Sequence, residues 1–402
     1  MRHVAAAVEI GTSKVVAIIA EGKANGEFDI LGWNSQSHRG IRRGVILDPA
    51  NLQEAMAKAL HEAENQAHHK VKELYIGVPG CFIKSFTAQQ EVFLSDKDKR
   101  IETHNVDELI LRAEEFDKPL DWMVIHRVPC YFKLDDNPKM IVDPVGSKAK
   151  KMNGVISFVM ANGEFMEDMQ ELAEAEGYSV KGFIATCLGE GLMLIEAEER
   201  DKTAILLDIG YYNTDVTVFK GDGIILHESI PLGGAHITSD LSCAFRLSVE
   251  QSEVIKRRHV FGLDTAADDM GGMEVEIQGK IVRVSDNFIQ HVIECRVEEI
   301  AASVKNILRR KDARIPQRTM VYMAGGGIGL MRGAREFMTN ALDHPVRVLT
   351  PKSAHMNSPV YAGALGTVDL SLIDPEQPEN NSPTVMKGVK GAFKKISDFF
   401  FE

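Results

Sequence analysis

The sequence predicts an α/β protein built as two similar lobes, and three observations carry that prediction. Strand-like and helix-like runs alternate along the chain. Near the start, Val8-Glu9-Ile10-Gly11-Thr12-Ser13-Lys14-Val15-Val16 has an apolar run ending in a carboxylate, a Gly turn with hydroxyl side chains, and a second apolar run. Leu207-Asp208-Ile209-Gly210-Tyr211-Tyr212-Asn213-Thr214-Asp215-Val216 repeats the design roughly two hundred residues later. Each reads as strand, tight turn and strand, with an acidic residue at the mouth of the turn. Backbone N–H groups and hydroxyls in such turns cradle phosphate, and the carboxylates hold Mg²⁺ through water. Either segment alone reads best as a surface β-hairpin; the pair in matching positions points to a duplicated fold gripping one nucleotide between its halves. Tyr211 and Tyr212 stand where a phosphate loop keeps glycines, which let backbone approach phosphate unobstructed. That favours binding over hydrolysis.

The remaining elements follow in order. Phe28 to Trp33 is a third extended run. Asn51 to His68 is a helix with Leu52, Ala55, Met56, Ala59, Leu60 and Ala63 on one face. Leu74 to Val78 is a short buried strand ending at Pro79-Gly80. Residues 83–160 change texture, with short alternating strands, a helix near Val106 to Phe116 and the turn Asp143-Pro144-Val145-Gly146. They read as a small inserted α+β subdomain. A helix over Met166 to Glu176 returns the chain to the first lobe.

The second lobe opens at Thr203 to Leu207. Gly233-Gly234 precede a helix whose first turn is expected to hold Thr238 and Asp240. Ser248 and Gln251 have capping-box spacing and predict a helix over 249–258. It presents Glu253 and Lys256 on one face, where a plain surface ion pair is the alternative to a ligand role. A long helix spans about Asn287 to Arg310. The strand Met320 to Met323 then runs into Ala324-Gly325-Gly326-Gly327 ahead of a further helix, a place where ligand can approach backbone and where turns also need glycine.

Composition bounds the function. At 402 residues the chain calls for two or more domains. Its net charge of -12 argues against general affinity for nucleic acid or an anionic membrane. Cys81, Cys130, Cys187, Cys243 and Cys295 form no CxxC pair and read as buried thiols in a reducing cytosol. No stretch reads as a signal peptide or a spanning helix, so a cytoplasmic protein is expected.

Taken together, Glu9 to Lys14, Asp208-Ile209-Gly210 with Thr214-Asp215, Gly233-Gly234, Glu253 with Lys256, and Gly325-Gly326-Gly327 resemble the actin/Hsp70/sugar-kinase superfamily. Within it the chain is similar to the FtsA family of bacterial cell-division proteins. Ser37-His38-Arg39-Gly40-Ile41-Arg42-Arg43-Gly44-Val45 carries that likeness, as do Val128-Pro129-Cys130-Tyr131, Asp143 to Gly146, and Val292 to Ile300. The resemblance covers essentially the whole chain. It implies an actin-like two-lobed ATPase fold of duplicated ribonuclease-H-like lobes. The first-lobe core (IA) would span 1–82, the insert (IC) 83–160, the return 161–200, and the second lobe 201–370 (IIA, with IIB about 245–318).

By position, the resemblance makes Gly11, Thr12, Ser13 and Lys14 the first phosphate loop, with Glu9 where many relatives have Asp. Asp208, Gly210, Asn213 and Thr214 match the second loop, Asp208 being the candidate Mg²⁺ partner through water. Gly234 lies in a phosphate-proximal turn, Glu253 and Lys256 on the adenosine side, and Gly325, Gly326 and Gly327 in the adenine loop. The implied cofactors are ATP and Mg²⁺. Ile184 to Glu190 departs from the pattern of Hsp70-like ATPases, so no residue is assigned as a catalytic base, and ATPase activity is expected to be weak or absent.

The C-terminus adds a second signal. Residues 371–385 read as a polar, Pro-rich linker. Over 386–402, turning by about 100° per residue gathers Met386, Val389, Phe393, Ile396 and Phe400 in a narrow sector, with Phe399 beside them. Lys387, Lys390, Lys394 and Asp398 fall opposite. A helix packed on its own core would show such a stripe; the tether, the terminal phenylalanines and the basic flanks favour an amphipathic helix in a membrane interface. Several tails on one oligomer would bind far more durably than one.

The resemblance therefore implies an actin-like protein, peripheral on the inner face of the cell membrane at the division site. It would self-associate into filaments, bind the FtsZ C-terminal peptide and recruit later division proteins. Arg296 and Glu299 on the long helix are the candidates for the peptide, with ordinary solvated helix charges as the alternative. Two other readings stay open: a metabolic kinase of the same superfamily, and a pilus-assembly adaptor of the PilM type. Neither gives a reason for the tail.

Overall fold

The computed structural model describes residues 4–42, 44–94, 100–262, 272–277, 280–310, 315–353 and 355–373. The amphipathic helix expected over 386–402 lies outside these residues, as does nearly all of the linker expected over 371–385.

The first lobe is a five-stranded sheet. β1 (Val4–Ile10), β2 (Lys14–Gly22) and β3 (Phe28–Ser37) form an antiparallel meander. The short ladder β4 (Ile41–Arg42) and β5 (Val45–Ile46) leads into α1 (Pro49–Ala67), and β6 (Glu73–Val78) joins β1 in parallel. Strand β2 is buried from Val15 to Ala20 because both faces of the sheet are covered. Val15, Ala17 and Ile19 share one core with Leu52, Met56 and Leu60 of α1, whereas Val16, Ile18 and Ala20 pack in another. Helix α1 buries Leu52, Ala55, Met56, Ala59, Leu60 and Ala63, the face read from periodicity. Asp48 caps its start by accepting the Asn51 N–H, and His68 ends it in the left-handed region.

A 3₁₀ turn over Gly80–Phe82 opens the insert. β7 (Ile83–Phe93), α2 (Thr103–Ala113), β8 (Trp122–Leu134) and β9 (Lys151–Asn162) follow, with the antiparallel strand order β7-β9-β8. This sheet and α2 bury their own cluster of Leu109, Phe132, Met152, Ile156 and Phe158. Helix α3 (Gly163–Ala175), capped by Asn162, returns the chain to β10 (Ser179–Ala185), which completes the first sheet in the order β10-β6-β1-β2-β3. α4 (Thr186–Leu194) and α5 (Ala197–Lys202) then cross to the second lobe.

There the plan repeats. β11 (Ala204–Ile209), β12 (Thr214–Lys220) and β13 (Gly223–Ile230) form the meander. α6 (Gly234–Phe245), α7 (Val249–Arg258), β14 (Gly272–Ile277), β15 (Lys280–Ser285) and α8 (Asp286–Leu308) precede β16 (Val321–Ala324), which joins β11 in parallel. α9 (Ala334–Leu342) leads to β17 (Val346–Val348), giving the order β13-β12-β11-β16-β17. Reversed, this matches the first sheet strand for strand. The last helix, α10 (Ala362–Ser371), leaves the second lobe and packs Ala364, Leu365 and Val368 against Ala7, Val16 and Ile18 of the first.

Two local expectations change. Helix α6 begins at Gly234, so Thr238 sits on its second turn, its hydroxyl oxygen 3.1 Å from the Gly234 carbonyl. Cys243 and Cys295 are exposed, not buried, because they fall off the apolar stripes of α6 and α8. Among the described residues no helix is long and apolar enough to cross a membrane.

Candidate functional site

The two strand–turn–strand starts face each other across one cleft of about 1020 Å³. Their turns are closed by the same bond: Gly11 N–H donates to the Lys14 carbonyl at 2.9 Å, and Gly210 N–H to the Asn213 carbonyl at 2.9 Å. Equal spacing in sequence has become equal geometry. Behind the first turn, His38 is buried with Nε2 2.8 Å from the Gly11 carbonyl oxygen. Gly40 N–H donates to its Nδ1, so Nε2 carries the ring proton and donates to Gly11. Burial pushes the His38 pKa down, which suits this neutral tautomer.

Of the residues anticipated for nucleotide, Glu9, Gly11, Thr12, Ser13 and Lys14 line the cleft from the first lobe. Asp208, Gly210, Asn213, Glu253, Lys256, Gly325, Gly326 and Gly327 line it from the second. Two do not. Thr214 is buried with its hydroxyl on the Leu232 carbonyl at 2.8 Å. Gly234 sits at the start of α6 with its N–H on the Gly210 carbonyl at 2.9 Å, while its own carbonyl accepts from Lys256 Nζ at 3.2 Å. Lys14 Nζ donates to the Val360 carbonyl at 2.9 Å and lies 4.5 Å from the Tyr361 ring centre.

At the far side, Lys256 Nζ and Glu253 Oε2 pair at 2.7 Å, and the Thr238 hydroxyl also donates to Glu253 at 2.7 Å. Burial works against the Glu253 charge, but Lys256, Thr238 and Arg257 outweigh it and hold the pKa below the ordinary carboxylate value. Gly325 has a φ of 84°, which a side chain adopts only under strain. Its neighbour Gly327 packs so closely that its N–H reaches the Ile209 carbonyl at 2.7 Å.

The cleft floor is acidic. Asp208 and Asp215 stand directly opposite each other across the β11–β12 ladder. Burial raises the Glu9 pKa to about 7, Lys14 opposing and Asp208 adding to the effect. Burial and then Asp215 raise Asp208 to about 7, and burial raises Asp215 to about 6 against hydrogen bonds from Ser229 and the Gly80 backbone. Glu190 is raised by burial, then by Asp208, Asp215 and Glu9. Both Glu190 carboxylate oxygens, one oxygen each of Asp208 and Asp215, the Asn213 amide oxygen and the Thr186 hydroxyl have no protein partner among the described residues. Buried polar atoms without partners are costly and mark places where water, ion or ligand is expected.

Asp215, which the sequence shows only as part of the second-loop motif, and Glu190 are not among the site residues expected from sequence. The hairpin register implied by the Gly210–Asn213 turn would have placed Asp215 opposite Asp208. Glu190 carries a weaker signal, a lone carboxylate inside the buried run Thr186 to Gly191. Tyr211 and Tyr212 also read differently in three dimensions. Neither has a positive φ, so the second turn accepts side chains at these positions without backbone strain. Arg296 and Glu299 lie on α8 and do not line the cleft. Arg296 grips both oxygens of Asp240 on α6, at 2.6 and 3.0 Å, and also bonds Glu299. After Gly325-Gly326-Gly327 the chain runs through turns, and a helix begins only at Ala334.

Comparison with known proteins gives two family matches. Residues 205–366 match the model described as "Cell division protein FtsA", and residues 80–160 match "SHS2 domain inserted in FTSA". The cell division protein FtsA of Neisseria meningitidis is 25% identical over 402 aligned residues, covering 97% of this chain and 96% of that protein. FtsA of Pseudomonas aeruginosa is 25% identical, covering 91% and 88%. Among solved structures, a PilM–PilN type IV pilus biogenesis complex aligns with a TM-score of 0.65 at 17% identity, covering 93% of this chain and 99% of that one. MreB5 of Spiroplasma citri bound to ADP aligns at 0.52 and 12% identity, covering 90% and 95%. These likenesses give the architecture its class: an actin-like two-lobed α/β fold with an SHS2 subdomain inserted in the first lobe.

Proposed function

The chain belongs to the FtsA family of actin-like cell-division proteins, and on that footing we propose that it is an ATP-binding membrane tether for division filaments. In this reading it binds ATP between its lobes and self-associates on the inner face of the cytoplasmic membrane. There it holds FtsZ through the FtsZ C-terminal peptide and recruits later division proteins.

The observation that carries the nucleotide half is the pair of identically closed turns facing one cleft whose floor holds unpartnered carboxylate oxygens. Beside the Gly11 turn, Thr12 and Ser13 would present N–H and hydroxyl donors to phosphate, and Lys14 would exchange the Val360 carbonyl for a phosphate oxygen. Asp208 and its neighbours fit a hydrated Mg²⁺, which would supply charge neutralisation to both the phosphates and the buried acids. Among the described residues no group of three or more acidic, His or Cys side chains is placed to hold a metal directly, so water and phosphate oxygens would complete its shell. Glu253, Lys256 and the Gly325–Gly327 loop would face the nucleoside. Nucleotide acts here as a conformational ligand, favouring the assembling state by binding it better.

The membrane half rests on the Phe-rich apolar stripe over 386–402 and the lysines opposite it. Liposome co-sedimentation of the full chain and of a chain lacking 386–402, each with and without Mg-ATP, tests both halves. The full chain should pellet with anionic vesicles, more so with ATP, and the shortened chain should stay in solution. Undiminished pelleting of the shortened chain overturns the anchor; ATP-independent pelleting and assembly overturn the conformational role of nucleotide.

A further inference from the structure

A site prefers a triphosphate to a diphosphate when it keeps N–H and ammonium donors free to reach the extra oxygens. Here three backbone N–H groups and one ammonium at the phosphate end already have protein acceptors. The Tyr212 N–H donates to the Thr12 hydroxyl oxygen at 3.2 Å. Lys14 Nζ is on the Val360 carbonyl at 2.9 Å. At the start of α6, Gly234 N–H and Ala235 N–H donate to the Gly210 and Tyr211 carbonyls at 2.9 and 2.8 Å, so that helix end is closed by the second turn itself.

Two of these neighbours join the lobes. Thr12 belongs to the first lobe and Tyr212 to the second, so their bond crosses the cleft. The Arg42 guanidinium, also from the first lobe, lies over the Tyr212 ring at 5.4 Å, a cation–π contact that glycine at this position could not make. The two lobes are thus bridged by protein groups alone, the Tyr212 N–H on Thr12 and the Tyr212 ring under Arg42. Tyr212 takes this role without a positive φ.

We infer that Tyr212, Thr12 and Arg42 form a latch across the cleft that makes binding indifferent to the terminal phosphate, so that nucleoside diphosphates and triphosphates are held almost equally. The inference rests on the nucleotide reading above and sets its ligand class: occupancy, not phosphate number, is what the protein registers.

The test titrates the full chain with Mg-ADP and with Mg-AMPPNP by calorimetry, for wild type, Tyr212→Gly, Arg42→Ala and the double variant. Wild type should hold the two within about threefold. Tyr212→Gly should shift the ratio at least tenfold towards the triphosphate, about 1.4 kcal/mol. Arg42→Ala should shift it the same way by a similar factor, and the double variant should add little to either single one because both remove the same ring contact. A tenfold triphosphate preference in wild type, or an unchanged ratio in Tyr212→Gly, overturns the latch. If wild type binds neither nucleotide, the nucleotide reading fails, and the latch is judged by hydrogen exchange of the ligand-free full chain. There the Tyr212 amide should be protected and Arg42→Ala should speed its exchange at least threefold; equal exchange overturns it.

Discussion

The Ser157 hydroxyl donates to the Ile224 carbonyl at 2.7 Å and accepts the Ile224 N–H at 3.1 Å, both bonds fully buried. Ser157 lies on β9 of the insert and Ile224 on β13 of the second lobe, so a subdomain threaded into the first lobe is fastened to the other. The β12–β13 turn adds to the joint. Gly221 and Gly223 bring its backbone against Cys130, leaving no room for a Cβ, and Asp222 pairs with the buried Arg200 at 2.7 Å. Nearby, His227 Nε2 reaches the Gly80 carbonyl at 3.0 Å where the insert begins. The insert is therefore joined to the second lobe at its root as well as to the first.

Ser157→Ala should destabilise the protein by about 2 kcal/mol, because it strands a buried N–H and a buried carbonyl together. Amide exchange at Ile224 and the denaturant midpoint measure it. Faster exchange at Ile224 with little change in β1 is expected; unaltered Ile224 exchange would show that the joint is made elsewhere.

Gly325 and Gly26 have almost the same φ, 84° and 85°, in opposite surroundings. A Cβ at Gly26 meets nothing within 4 Å, whereas one at Gly325 would overlap the Asp208 carboxylate and the Ile209 carbonyl. Gly26→Ala should cost about 1 kcal/mol of backbone strain. Gly325→Ala should cost about 3 kcal/mol and abolish nucleotide binding, since it displaces Asp208 as well. Comparable melting temperatures for the two variants would disprove the crowding argument.

The acidic floor gives a pH dependence with a definite sign. Glu9, Asp208 and Asp215 have folded pKa values raised to about 7, 7 and 6 above ordinary carboxylate values near 4, and Glu190 is raised too. The folded state thus holds protons that the unfolded state has released. Stability is full below about pH 4 as far as these groups are concerned, and it falls as pH rises through 6 to 7. His126 and His259, with pKa values lowered by burial to about 3 and about 4, act in the opposite direction: below about pH 6 the unfolded chain takes up protons that the folded imidazoles do not, and stability falls. Glu190→Gln removes the charge while keeping shape, so it should raise the ligand-free melting temperature at pH 8 and change it little at pH 5. An equal gain at both pH values would mean the carboxylate is not a burdened one.

The lobes were legible because each local signal agreed with the global plan. The buried face of α1, the capping box of Ser248 and Gln251, and the two Gly turns depend on spacing alone, and spacing is what a sequence displays. Thr214 shows the limit of such spacing, because a hydroxyl in a phosphate-like turn can as easily satisfy nearby backbone, here the Leu232 carbonyl. Glu190 was invisible as a member of the acidic floor because its neighbours come from β1, β11 and β12, far away in sequence. The Tyr212 bridge was hidden for the same reason, since it is made by two segments roughly two hundred residues apart.

Arg296 offers the sharpest test of how the second lobe would meet a partner peptide. It was singled out from sequence as a peptide contact, yet its guanidinium is bidentate to Asp240 and so ties α8 to α6. A half-buried fork of this kind is worth about 1 kcal/mol. Arg296→Ala and Asp240→Ala should therefore lower stability alike, while Glu299→Ala, whose side chain is mostly exposed, should leave it nearly unchanged. Affinity for an FtsZ C-terminal peptide, measured by fluorescence anisotropy, then separates the roles. If Arg296 acts by holding the helices, Arg296→Ala and Asp240→Ala weaken the peptide equally and the double variant adds nothing. If it touches the peptide, Arg296→Ala weakens binding well beyond Asp240→Ala, because removing Asp240 leaves the guanidinium in place and free for the peptide. The bidentate geometry leads us to expect the first outcome.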